Sequence, residues 1–136
     1  MEIPKSFTFA GKRKRAVAKA TIKQGTGKIF INKRPYENLE FFKRLAIQEP
    51  IEIAKRVLKN FDFDILVNSK GGGQESQIEA ARLAIARALV GFTQNKDLEK
   101  EFLRYDWTLA IADVRRKEPY KPGDSKARSK RQTSFR

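Results

Sequence analysis

Few residues in this chain are equipped for covalent or acid–base chemistry. It has no histidine and no cysteine, which removes the commonest general base, the commonest metal ligand and the thiolate nucleophile. Three constellations remain. Asp62 and Asp64 stand two apart in a strand-like run, so both carboxylates fall on one face. With no third ligand in view, they suit a solvated strand face or ion pairs with Lys and Arg better than a metal. Gly71-Gly72-Gly73 precedes a helix-like stretch, where backbone N–H groups can meet an anion. A phosphate-binding loop of the Walker kind needs Lys and Ser/Thr after its last glycine, but Gln74-Glu75 follow, and there is no G-x-G-x-x-G. The triple glycine is therefore either a contact for an RNA phosphate or a plain strand-to-helix turn. Lys12-Arg13-Lys14-Arg15 places four cations in a row. They repel one another in a free protein and suit a phosphate clamp. No catalytic residue, metal site, cofactor or small-molecule substrate is expected.

The distribution of charge says more than its total of +14. Residues 1–33 carry nine Lys/Arg and one acid, and residues 34–114 carry twelve basic and thirteen acidic residues. Residues 115–136 carry nine Lys/Arg against Glu118 and Asp124. A near-neutral body thus lies between two basic ends, which self-repel unless a polyanion joins them. The last segment has only Tyr120, Ala127 and Phe135 as apolar residues, too few to offset the entropy of ordering alone. The expected division is a body of residues 1–114, large enough for a core, and an extended tail of residues 115–136. No apolar run approaches the length of a bilayer span, and the N-terminus lacks the apolar region of a signal peptide. An intracellular chain with no membrane partner is the expectation.

Period and punctuation suggest the elements that position these residues. Residues 6–10 read as a strand broken by Gly11. Residues 16–23 alternate, with Ala16, Ala18, Ala20 and Ile22 inward and Lys19 and Lys23 outward. Glycines 25 and 27 then turn the chain into a returning strand over 28–32, a basic hairpin, and Pro35 ends it. One or two short helices are expected over 36–47, where Tyr36, Phe41 and Phe42 supply core packing or base stacking. A new helix starts at Pro50. A strand over 61–67 leads to the glycines, and the longest helix spans about 74–91 with Ile78, Ala81, Ile85, Ala88 and Phe92 as its stripe. Asn95 caps a helix over 96–105. Trp107, Leu109 and Ile111 alternate as a short extended piece. The expected fold is α+β: about four strands in a mixed sheet with helices on one face.

Several motifs occur in a specific order. They are Gly11-Lys12-Arg13-Lys14-Arg15-Ala16-Val17-Ala18, Gly25-Thr26-Gly27-Lys28-Ile29 with Asn32, Gly71-Gly72-Gly73 with Gln77, and Ala84-Ile85-Ala86-Arg87-Ala88-Leu89. Asp113-Val114-Arg115-Arg116-Lys117-Glu118-Pro119, Lys121-Pro122-Gly123 and the closing run from Ala127-Arg128 to Arg136 complete the set. In these the chain resembles the ninth protein family of the small ribosomal subunit, in its archaeal and eukaryotic form. The resemblance implies a left-handed βαβ crossover, a domain shared with some small-molecule kinases, and a cytoplasmic, ribosomal location in the subunit head. It implies small-subunit rRNA, P-site tRNA and neighbouring head proteins as partners. The rRNA-binding set is then Lys12, Arg13, Lys14, Arg15, Lys70, Gly71, Gly72, Arg115, Arg116, Lys117, Lys121, Lys126, Arg128, Lys130 and Arg131. The tRNA-proximal set is Arg131, Ser134, Phe135 and Arg136. Family tails are often glycine-rich where this one reads Asp124-Ser125-Lys126, and often end Lys-Ser-Tyr-Arg where this one ends Thr133-Ser134-Phe135-Arg136. A free nucleic-acid-binding regulator and a kinase-like enzyme are the competing classes.

Overall fold

A computed structural model describes residues 5–135. Five strands form one mixed sheet in the order β1-β2-β5-β3-β4. These are β1 (Ser6–Arg13), β2 (Ala16–Gln24), β3 (Ile29–Ile31), β4 (Arg34–Pro35) and β5 (Phe63–Lys70). Three helices accompany them: α1 (Phe41–Leu58), α2 (Gln74–Thr93) and α3 (Lys96–Tyr105). The fold is α+β, as expected. The strand beyond the expected four, β4, is only two residues long.

The pairing departs from the expected hairpin. β2 pairs β1 and β5, both antiparallel, and β3 pairs β5 in parallel rather than returning against β2. Four strongly apolar positions in β5 explain the insertion. Ile65 and Val67 are buried between their neighbours, and the three-residue β3 is too short to cover the nine-residue β2. The true hairpin is β1–β2, joined by Lys14-Arg15 alone, with Arg13 opposite Ala16. β1 therefore runs through Gly11, which does not break it. Pro35 does not end strand structure either. It pairs with Phe30 in edge strand β4, where a missing N–H is tolerated.

Packing across Pro50 explains why residues 41–58 form one helix instead of two or three. Ile47, Pro50, Ile51 and Ala54 follow a helical repeat and all are buried. Their common face outweighs the hydrogen bond that Pro50 cannot donate. α2 buries Ile78, Ala81, Ile85 and Ala88 as expected, with Phe92 packed at the margin. Its backbone at Ala80 and Ala84 lies against Gly11 of β1, so helix and sheet approach closely. Asn95 caps α3, accepting from the Asp97 and Leu98 amides at 2.9 and 3.4 Å. Residues 107–109 form a 3-10 turn rather than an extended piece, because the Asp106 side chain accepts from the Thr108 amide at 3.0 Å. Tyr36 is buried, but Phe41 and Phe42 are 58% and 81% exposed and do not serve the core.

Asp64 has a structural task. Its carboxylate accepts from the amides of Thr26 at 2.9 Å and Lys28 at 3.1 Å, tying the β2–β3 turn to β5. The Lys28 hydrogen bond first, and the other turn amides with it, hold its pKa below the ordinary 3.8. A lowered folded-state pKa adds stability that is complete above the unfolded value and is lost as pH falls through the folded one. Asp64→Ala should lower the thermal midpoint by about 3–6 °C at pH 7. The gap between variant and parent should narrow by pH 3, measured by circular dichroism melts at both values.

Candidate nucleic-acid interface

The β1–β2 turn, the glycine loop and the root of the tail converge on one groove of about 1110 Å³. Lys12, Lys14 and Arg15 line it from the hairpin, Gly72 and Gly73 from the loop, and Arg115, Arg116 and Lys117 from the tail. These three segments are some sixty and one hundred residues apart in sequence. The close approach of loop to hairpin depends on glycine. Gly71 has φ +79°, and a Cβ there would stand 2.7 Å from the Arg15 carbonyl oxygen. Gln77 fixes the loop from the first turns of α2, donating from Nε2 to the Gly71 carbonyl at 3.0 Å. Lys14 adopts φ 53°, a left-handed conformation that non-glycine residues rarely take. The strain holds its ammonium at the tip of a two-residue turn.

Arg13 plays a different part from its three neighbours. Its side chain points inward, pairing with Glu79 of α2 at 2.5 Å and with Asp113 before the tail. It is a strut, with its charge already answered, rather than an outward phosphate ligand. Asp113 also accepts from Arg115, at 3.0 Å from Nε, 2.8 Å from Nη2 and 2.8 Å from the amide. The Arg115 guanidinium, its amide and Arg13 together hold the Asp113 carboxyl well below the usual carboxylate range. Asp113 thereby pins the tail's first residue beside the hairpin.

The other expected contacts fall outside the groove. Lys70 ends β5 and lines a separate cleft of about 680 Å³ with Lys19, Lys33 and Asn68. Residues 115–135 contain no helix or strand. Within them Arg128 donates to Glu118 at 2.8 Å, and Arg131 lies 3.6 Å from Asp124. Lys117 stands over the Tyr120 ring at 4.4 Å. Lys121, Lys126 and Lys130 are exposed, as are Ser134 and Phe135. Arg136 lies outside the described residues. Two arginines of the tail thus hold its two acids, and Lys121, Lys126 and Lys130 face solvent.

Sequence reasoning missed Arg82. Its guanidinium links Glu49 of α1 with Asp106 at 3.4 Å and Thr108 at 3.3 Å, joining α1, α2 and the end of α3. Its place off the apolar stripe of α2 marked it as polar, but nothing marked its partners. Lys33 was also missed, since a single lysine after a short strand carries no signal. Among the described residues no group of His, Cys, Asp and Glu is arranged to hold a metal ion, and no helix is long and apolar enough to cross a membrane.

Residues 11–136 match the family described as ribosomal protein S9/S16. The chain belongs to the ribosomal protein S9/S16 family. Curated relatives agree along nearly the whole length. Small ribosomal subunit protein uS9 of one Methanococcus maripaludis strain is 48% identical over 129 residues, covering 93% of this chain and 95% of the relative. The same protein from a second strain is 47% identical, and that of Methanococcus vannielii 44%, with the same coverage. Membership in this family makes the chain a structural ribosomal protein and not an enzyme, and the relatives are archaeal, in keeping with the resemblance to the archaeal and eukaryotic form. The match begins at Gly11, so it includes the hairpin turn, the glycine loop and the tail that build the groove.

Proposed function

We propose that this chain is a structural component of the head of the small ribosomal subunit in the cytoplasm, held there by rRNA. The observation that carries the reading is the groove in which both basic ends of a near-neutral body meet. Seven of the expected rRNA ligands line it: Lys12, Lys14, Arg15, Gly72, Arg115, Arg116 and Lys117. Lysine and arginine at this density suit phosphates, and Arg115 and Arg116 add planar forks of donors. In this reading residues 1–114 are the body and residues 115–136 an arm, with neighbouring head proteins around the body. The resemblance also gives the β3–α1–β5 crossover a left hand.

The finer part of the proposal concerns the arm. Extended, 22 residues span up to roughly 70 Å, enough to leave the body's own rRNA site. Lys121, Lys126, Arg128 and Lys130 follow rRNA, while Arg131, Ser134, Phe135 and Arg136 reach P-site tRNA. Arg136→Ala should weaken P-site tRNA binding by about 10- to 150-fold, the worth of one charged hydrogen bond, without changing the amount of protein co-sedimenting with small subunits. Equal tRNA affinity for variant and parent subunits would remove the tRNA contact. Failure of the parent to co-migrate with small subunits at moderate salt would favour a regulator acting elsewhere.

A further inference from the structure

The helices cover one face of the sheet, and the other is open. On it, strand register fixes a set of rows. Lys12, Val17 and Lys70 form one row, and Ala10, Lys19 and Asn68 the next. Thr8, Thr21, Leu66 and Phe30 follow. Adjacent strands lie about 4.8 Å apart and alternate residues about 6.8 Å apart, so Lys12, Lys19 and Lys70 form a compact cationic triangle.

Lys33 completes it from the side. The β3–β4 turn is Asn32-Lys33, with φ 51° and 68°, between paired Ile31 and Arg34. Two positive φ values in a two-residue hairpin make a turn in which glycine would be easier than lysine. Asn32 locks it in place. Its Oδ1 accepts from the Ser69 amide and its Nδ2 donates to Ser69 Oγ, both at 2.9 Å. Because β3 runs parallel to β5, this turn sits at the same end of the sheet as Lys70 and the β1–β2 turn. Of the three lysines with positive φ among the described residues, Lys14, Lys33 and Lys59, two stand at this end of the sheet. Lys19, Lys33 and Lys70 pair with no acid among the described residues. Asp64, the acid of this face, is at the far end of β5, engaged with the β2–β3 turn.

We propose that this open face is a second RNA-binding surface, taking the sugar–phosphate backbone of a duplex segment distinct from the RNA in the groove. The proposal rests on the rRNA reading above. Duplex RNA is read through phosphates and 2′-hydroxyls, single strands through stacking on aromatic rings. This face offers ammonium groups, the Asn68 amide and the Thr8 and Thr21 hydroxyls. Its one aromatic ring among the described residues, Phe30, is half-buried. The two surfaces share Lys12 and Val17 at their boundary, so the hairpin turn stands as a ridge between two RNA segments. The body is then a spacer that fixes their relative position.

The test compares Lys19→Gln/Lys33→Gln with Lys14→Gln/Arg15→Gln, using the full chain and small-subunit rRNA transcribed from the same organism. Filter binding across salt gives the slope of log affinity, and hydroxyl-radical footprinting maps the backbone contacts. The sheet-face pair should reduce the slope by about 2 and weaken binding about 10-fold at 0.15 M salt. It should lose protection over a duplex segment that the turn pair leaves protected. Both pairs are exposed, so melting midpoints should match the parent. Parental slope and footprint for Lys19→Gln/Lys33→Gln would overturn the proposal, including the case in which a neighbouring protein covers this face. Loss of the same protected segment by both pairs would overturn it too, by showing one surface. Failure of the parent itself to bind would instead sink the rRNA reading.

Discussion

Gly11→Ala should destabilise the protein by about 2–4 kcal/mol, lowering its thermal midpoint by about 8–15 °C. A Cβ at Gly11 would stand 2.4 Å from the Ala80 carbonyl oxygen and 2.7 Å from the Ala84 nitrogen. Both obstacles are helix backbone, so no side chain can swing aside. β1 would have to lift from α2, opening the contact between alanine-rich helix and sheet that makes the core dense. Gly73→Ala is the control. Nothing lies within 4 Å of its added Cβ, and its φ of −97° suits any residue, so a change of no more than about 1 kcal/mol is expected. Calorimetric melts of both variants decide the matter. Equal, small shifts would show that the Gly11 contact is not needed for stability. The loss at Gly11 should also reach RNA binding, because β1 carries the hairpin turn and Arg13 into place.

Gly11 also shows where the sequence was legible and where it was not. Its residue type announced a special position, but a broken strand and a close approach look alike in one dimension. α2 and α3 were readable because a stripe of period 3.6 and an Asn cap are local signals. The pairing of β2 was not, since two nearby basic strands invite a hairpin and the strand that separates them comes some forty residues later. Pro50 misled for a related reason: the backbone rule is local, while the burial of Ile47, Ile51 and Ala54 that overrides it is tertiary. At the site, charge counting gathered nearly every residue of the groove without showing that they meet. It counted Arg13 with Lys12, Lys14 and Arg15, although strand alternation turns Arg13 toward α2 and its neighbours outward. Its partner Asp113 is one hundred residues away, beyond any periodicity. Glycine at 71 had a legible meaning, freedom of φ, but not its neighbour, the Arg15 carbonyl.

Deleting residues 126–136 should separate binding from folding most sharply. The segment buries little, and its pairs with the retained acids, Arg128–Glu118 and Arg131–Asp124, are surface contacts of small worth. The melting midpoint should therefore move by less than about 2 °C. A fall of several degrees would show that the arm is part of the fold. Affinity for rRNA should behave differently. Five of the nine tail cations go with the deletion, so the salt slope should shrink by up to about 4.5, and binding at 0.15 M salt should weaken on the order of 100-fold. The fall should exceed a simple charge count, because Glu118 and Asp124 remain after Arg128 and Arg131 are gone. Glu118 lines the groove beside Lys117, where a bare carboxylate repels the phosphate that the lysine attracts. Adding Glu118→Gln to the truncated chain should then recover about 3- to 5-fold in affinity, as expected for removing one nearby like charge. In the full chain the same substitution should change little, since Arg128 already covers that carboxylate. No recovery in the truncated protein would mean that the arm contributes only its cations and does not also mask its own acids.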